Sequence, residues 1–184
     1  MRLSFKSMTG RKFSGDVQRI IGSFNNGAVG AALGQATGIQ ALDHARQVIA
    51  LCDDGGFNML MGEFLTAVHH QLPVKVVVYD NGAFRLISLE AEALGPPAYR
   101  KGIEFPNPDY VKLARACGGH GFRAAQPGDL GATIEQALET DGPAIIDCAV
   151  VPNEMPNFPH IDLDRVGHYA VAKVKEAMDS FVGR

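Results

Sequence analysis

Apolar residues in this chain gather in short Val- and Ile-rich runs, separated by longer stretches of mixed polarity. Five runs read as strands, at residues 19–23, 47–51, 74–79, 121–124 and 144–150. The runs are continuous and do not alternate, which suits strands covered on both faces, as in a parallel sheet. Helix-length segments lie between and after them, at 28–45, 57–70, 108–117, 129–140 and 164–181. This alternation predicts an α/β fold, a doubly wound and mainly parallel sheet flanked by helices.

Local signals set several limits. Asn107 is placed to cap a helix with Pro108 at its first position. Gly118-Gly119 follows a predicted helix end, where a left-handed residue is commonly needed. Gly142-Pro143 stops the next helix before the last strand. The connection 95–108 is long and holds four prolines. Long ordered loops in compact domains are often functional. Gly27, Gly30, Gly34 and Gly38 put small residues on one helix face, so close helix packing is expected there. Met59 and Met61 are expected in helix core.

Composition narrows the class. The 184 residues suggest one domain, residues 19–184, after an N-terminal arm at 1–18. The apolar content of 46% argues against disorder. Twenty acidic and 17 basic residues leave a net charge of −3, which gives no reason to expect nucleic acid as a partner. Cys52, Cys117 and Cys148 are odd in number and far apart. That excludes a disulfide framework, offers no metal-ligand spacing, and suits a reducing cytoplasm. The longest weakly polar stretch, 27–42, is broken by Gln35 and Gln40 and falls short of the ~20 apolar residues of a transmembrane segment. The arm is basic without an apolar core, so it reads as a poorly ordered arm or a weak transit peptide, not a secretory signal.

In open α/β sheets, ligands sit beyond the carboxyl ends of the strands. There the chain places Asn25-Asn26-Gly27, Asp53-Asp54-Gly55-Gly56 and Asp80-Asn81-Gly82. A glycine turn before a helix lets an anion approach free backbone N–H groups. Asp54 and Asn81 add hard oxygens suited to Mg2+, which takes one or two protein oxygens plus phosphate oxygens and water. Cys52 beside Asp53 and Asp54 is a poor nucleophile, because carboxylates raise a thiol pKa. The six histidines have no ligand spacing.

Asp54 and Asn81 stand 27 residues apart, with one helix and one strand between. This resembles the thiamine diphosphate (ThDP) motif, in which Gly-Asp-Gly is followed about 27 residues later by Asn-Asn. The flanks Phe57-Asn58-Met59-Leu60-Met61, Leu72-Pro73-Val74-Lys75, Gly22-Ser23-Phe24-Asn25, Pro106-Asn107-Pro108-Asp109-Tyr110 and Asp141-Gly142-Pro143 carry the likeness further. The chain is similar, over roughly residues 19 to 178, to the C-terminal diphosphate-binding (PP) domain of the pyruvate oxidase and quinone-dependent pyruvate dehydrogenase group.

That resemblance implies ThDP and Mg2+ as cofactors and a small 2-oxo acid such as pyruvate as substrate. It implies that Asp54, Asn81 and the carbonyl of Ala83 hold Mg2+, and that the N–H groups of Gly55 and Gly56 meet the diphosphate. Asn26 and Gly27 would receive the aminopyrimidine, and Val29 would lie under the thiazolium. Glu90, nine residues past Asn81, falls at an active-site glutamate position. The family's pyrimidine-binding (PYR) domain supplies the other half of its site. Catalysis is therefore expected to need a PYR-domain chain or a second copy of this one, in a homo-oligomer with apolar interface surfaces.

The chain departs from the pattern in four places. Asp53 replaces the first glycine and Asp80 the first asparagine, the wedge is only Val29, and Leu86 stands where the group often has Phe. Two extra negative charges near a diphosphate weaken its binding. Asp53 costs about 1 kcal/mol or more if its position needs a strained backbone. The alternative expectation is a degenerate PP domain that no longer binds cofactor.

Overall fold

The computed structural model describes residues 20–23, 25–93, 102–151, 167, 170–175, 177 and 178. The predicted arm, residues 95–101 of the long connection, and half of the predicted helix 164–181 lie outside the described residues. Residues 167, 170–175, 177 and 178 of that last segment are helical.

Among the described residues four strands form one sheet: β1 (Ile49–Asp53), β2 (Lys75–Asp80), β3 (His120–Ala124) and β4 (Ala144–Ala149). Their order is β1-β2-β4-β3 and every pairing is parallel. Helices accompany them among the described residues: α1 (Ala31–Leu42), α2 (Asp54–Leu60), α3 (Glu63–His69), α4 (Arg85–Ala93), α5 (Tyr110–Ala116) and α6 (Leu130–Glu139), besides the helical residues of the last segment. A short 3-10 turn, Pro127–Asp129, leads into α6.

Side chains alternate along β2 and so serve two cores. Val74, Val76 and Val78 pack with Leu33, Phe57, Phe64, Tyr110 and Ile145 on one face. Val77 packs with Ile146, Cys148 and Ala137 on the other. This two-sided burial is why the strand runs are continuously apolar. Each fully buried valine contributes about 1.5–3 kcal/mol of transfer free energy.

Several expectations are corrected. Among the described residues, 20–23 pair with no strand, and Ile20 and Ile21 are 71% and 57% exposed, so two isoleucines alone do not make one. The helix expected at 57–70 is two helices, because hydrogen bonds tighten to i,i+3 around Gly62: Phe64 N to Met61 O at 3.1 Å, and Leu65 N to Gly62 O at 3.0 Å. That break turns Met59 and Met61 outward, not into the core. Gly34 and Gly38 face open space, so α1 makes no close small-residue packing there. The cap of α5 is Asp109, whose carboxylate accepts from Lys112 N at 3.0 Å, and not Asn107.

Helix α4 carries no sequence signal because its polarity is inverted. Leu86 and Ile87 are exposed, whereas Ser88 and Glu92 are buried. Burial draws the Glu92 carboxyl upward, but Lys173 (3.0 Å), Ser88 (2.9 Å) and Arg85 (3.1 Å) outweigh it and hold the group below the usual range.

Candidate functional site

Parallel pairing brings the carboxyl ends of β1 and β2 side by side, with Asp53 opposite Tyr79. The residues that follow therefore meet. Asp54 is fully buried at the start of α2. Its Oδ2 accepts from Asn81 N (2.9 Å), Gly82 N (2.6 Å) and Asn107 Nδ2 (2.7 Å), and its Oδ1 from Gly55 N (2.9 Å). Asn81 closes its own turn, its Oδ1 accepting from Ala83 N at 2.9 Å. Phe105 N and Phe84 N donate to Gly82 O and Ile103 O, which ties this turn to the returning chain.

The glycine turn is closely packed. A Cβ on Gly56 would stand 2.5 Å from Asp53 Oδ1, and one on Gly55 would strike the Phe84 ring. Gly30, at φ 84°, seats the loop after residue 27 against this turn: its own Cβ would stand 2.9 Å from Gly56 O. Asp53 is the N-cap of α2, its Oδ2 accepting from Gly56 N at 3.2 Å. Its backbone lies at φ −72° and ψ 156°, an ordinary extended cap, so the expected strain is absent.

Asn107 emerges as a site residue that sequence reading assigned to a helix cap. Its Nδ2 donates to Asp54 Oδ2 and to Asp80 Oδ1, each at 2.7 Å. Its Oδ1 accepts from Asn58 Nδ2 at 2.8 Å, and Tyr110 OH donates to Asn58 Oδ1 at 2.9 Å. Burial, then Asp54 and Asp80, push the Tyr110 hydroxyl upward, so it stays a donor. No local spacing marks this relay, since Asn107 is 53 residues from Asp54.

Asp147 lies buried in β4 on the same face. Burial is the main cause that lifts its carboxyl to about 6, with Asp80 adding and Arg123 opposing. Arg123 Nη1 stands 3.2 Å away. Cys52 is pushed up to about 12 by burial and then by Asp53, so it remains a thiol.

The structure thus brings together Asp54, Gly55, Gly56, Asn81 and Ala83. Asn26, Gly27 and Val29 lie exposed on the loop before α1, with Val29 56% exposed. Glu90 is in α4, and its side chain lies outside what the structure describes. Among the described residues no group of three or more His, Cys, Asp or Glu could hold a metal. A cation here would need a mixed set of carboxylate, amide, carbonyl and ligand oxygens. Asp54 Oδ1 and Asn81 Oδ1 each take a single N–H and keep acceptor capacity, so the donor chemistry fits such a cation. The Gly55 and Gly56 amides, by contrast, already face the carboxylates of Asp54 and Asp53.

A buried carboxylate against an Asx turn, at adjacent ends of parallel strands and beside a glycine-lined helix start, has the form of a phosphate- and cation-binding α/β domain. The chain belongs to the family described as thiamine pyrophosphate enzyme, C-terminal TPP binding domain, which it matches over residues 7–148. Thiamine diphosphate is the cofactor of that family, with Mg2+ its conventional partner. The chain is 33% identical over 128 residues to a putative thiamine pyrophosphate-containing protein, YdaP, of Bacillus subtilis (strain 168), covering 70% of this chain and 22% of that one. It is 28% identical over 144 residues to the acetolactate synthase isozyme 2 large subunit of Escherichia coli (strain K12), covering 77% and 26%. Among solved structures it is similar to the Rhodococcus jostii RHA1 thiamine diphosphate-dependent 4-hydroxybenzoylformate decarboxylase. The TM-score is 0.62 at 28% identity, over 68% of this chain and 24% of that one. The chain therefore spans about a quarter of the length of these relatives. Their names cover a synthase and a decarboxylase, so the match establishes the domain family and not the pyruvate oxidase group. Among the described residues no helix is long and apolar enough to cross a membrane.

Proposed function

We propose that this chain supplies the diphosphate-binding half of a ThDP site in a pyruvate-type 2-oxo acid enzyme, of the pyruvate oxidase or quinone-dependent pyruvate dehydrogenase kind. A PYR-domain chain, or a second copy of this chain, completes the site. The observation that carries this reading is Asp54 Oδ2 accepting from both Asn81 N and Gly82 N, which joins the two halves of the 27-residue motif. Asp54, Asn81 and the Ala83 carbonyl would hold Mg2+, and Gly55 and Gly56 would meet the diphosphate. Asn26 and Gly27 would hold the pyrimidine, Val29 would support the thiazolium, and Glu90 is the candidate to act at the reacting carbon. Bound ThDP would supply the electron sink for decarboxylation of the 2-oxo acid. The chain's own part is to fix the cofactor by its charged end and to exclude water with the apolar residues around it. Val29, Met59, Leu60, Met61 and Leu65 are exposed near or along α2, where a completing domain would cover them.

A second reading, a degenerate PP domain without cofactor, is favoured by one contact, the Asp53 carboxylate on Gly56 N. Calorimetric titration of the purified chain with ThDP, with Mg2+ and then with EDTA, separates the two. Metal-dependent binding, lost by at least about a hundredfold in both Asp54→Ala and the milder Asp54→Asn, is the expected result. No heat at millimolar ThDP from folded protein would leave the degenerate domain.

A further inference from the structure

We propose that Asp53 is an internal competitor for the anion cradle, so that a diphosphate enters only by displacing its carboxylate from Gly56. This rests on the cofactor reading above and adds to it a residue that sets affinity. Three observations converge. Asp53 Oδ2 already accepts from Gly56 N at 3.2 Å. The space beside Gly56 is filled by the same carboxylate, 2.5 Å from where a Cβ would be. The other cradle amide, Gly55 N, is taken by Asp54 at 2.9 Å. The backbone of Asp53 is an unstrained extended cap, so no backbone strain favours release of the carboxylate.

The chemistry follows from charge. A helix-start N–H that faces a carboxylate is satisfied, and a second anion brought there meets repulsion from the first. Asp54 and Asp80 stand at the same strand ends, so the cradle is acidic before anything binds. An incoming diphosphate is then accepted best together with its divalent cation, which offsets these charges. Asparagine caps a helix as well as aspartate does, so Asp53→Asn removes the charge and keeps the cap.

The full chain and its Asp53→Asn and Asp53→Gly variants are titrated with two probes, inorganic pyrophosphate with Mg2+ and ThDP with Mg2+. Thermal midpoints are recorded alongside. Both variants are expected to bind both probes more tightly, by roughly tenfold or more, with the midpoint of Asp53→Asn close to that of the parent. Equal affinities in all three chains overturn the competitor role while leaving the cofactor reading in place. Tightening for ThDP alone, with pyrophosphate unmoved, also overturns it, because the effect would not lie at the anion. If no chain binds either probe, the cofactor reading falls and this inference falls with it.

Discussion

Two regions of this molecule bury carboxylates and satisfy them in opposite ways. On α4, Glu92 Oε1 meets two cations, Arg85 at 3.1 Å and Lys173 at 3.0 Å, with Ser88 between. At the strand ends, Asp54 is held by neutral donors, backbone N–H groups and the Asn107 amide, and the same amide donates to half-buried Asp80. A carboxylate neutralised by cations is structural, since its charge is spent on the fold. A carboxylate satisfied by dipoles keeps its negative field and can still attract a cation. The difference marks the strand ends, and not α4, as the place where the fold has kept charge in reserve.

The largest effect should come from breaking the first arrangement. Glu92→Ala leaves Arg85 poorly exposed without its counter-charge and should cost about 3 kcal/mol, read by urea unfolding. Added Mg2+ should not restore it. Asn107→Leu should cost about 2 kcal/mol, by removing donors from two carboxylates at once. Here millimolar Mg2+ should raise the melting temperature of the variant more than that of the parent, because a cation can replace the lost amide. Equal Mg2+ responses in Glu92→Ala and Asn107→Leu would erase the distinction between the two regions.

What could be read from the sequence divides along the same physical line. The central strands β2 and β4 were legible because burial on both faces leaves a continuous apolar run. Residues 20–23 gave the same signal and failed, because two isoleucines say nothing about whether an edge is free beside them. The Asp54 and Asn81 pair was legible because a helical segment, here two short helices, and one strand separate them, and parallel pairing then returns the chain to the same end of the sheet. Asn107 was not legible: its role depends on a long connection folding back over the strand ends. Helix α4 was missed for a sharper reason. Its buried Glu92 and Ser88 and exposed Leu86 and Ile87 invert the pattern that periodicity arguments use. Asp53 looked like a cost in backbone strain, and only its dihedral angles reveal an unstrained cap.

Asp147 offers the finest test, because it titrates against the direction of Glu92. Its carboxyl is lifted to about 6, burial being the main cause, whereas Glu92 is held below the usual range by its cations. For Asp147 the folded value exceeds the unfolded one, so its contribution to stability is fully present below about pH 4 and is lost as pH rises through about 6. For Glu92 the sign is reversed, and stability is lost as pH falls. Asp147→Asn removes the first effect and leaves the second. The variant should match the parent near pH 4 and exceed it at pH 8 by roughly 2 kcal/mol, since Arg123 is half-exposed and loses little. Urea unfolding of both chains at pH 4, 6 and 8 reads this difference with every other titrating group held in common. A gap that does not grow with pH would mean that Asp147 ionises on the sheet without penalty. The separation between carboxylates held by cations and carboxylates held in reserve would then have to be redrawn around Asp54 and Asp80 alone.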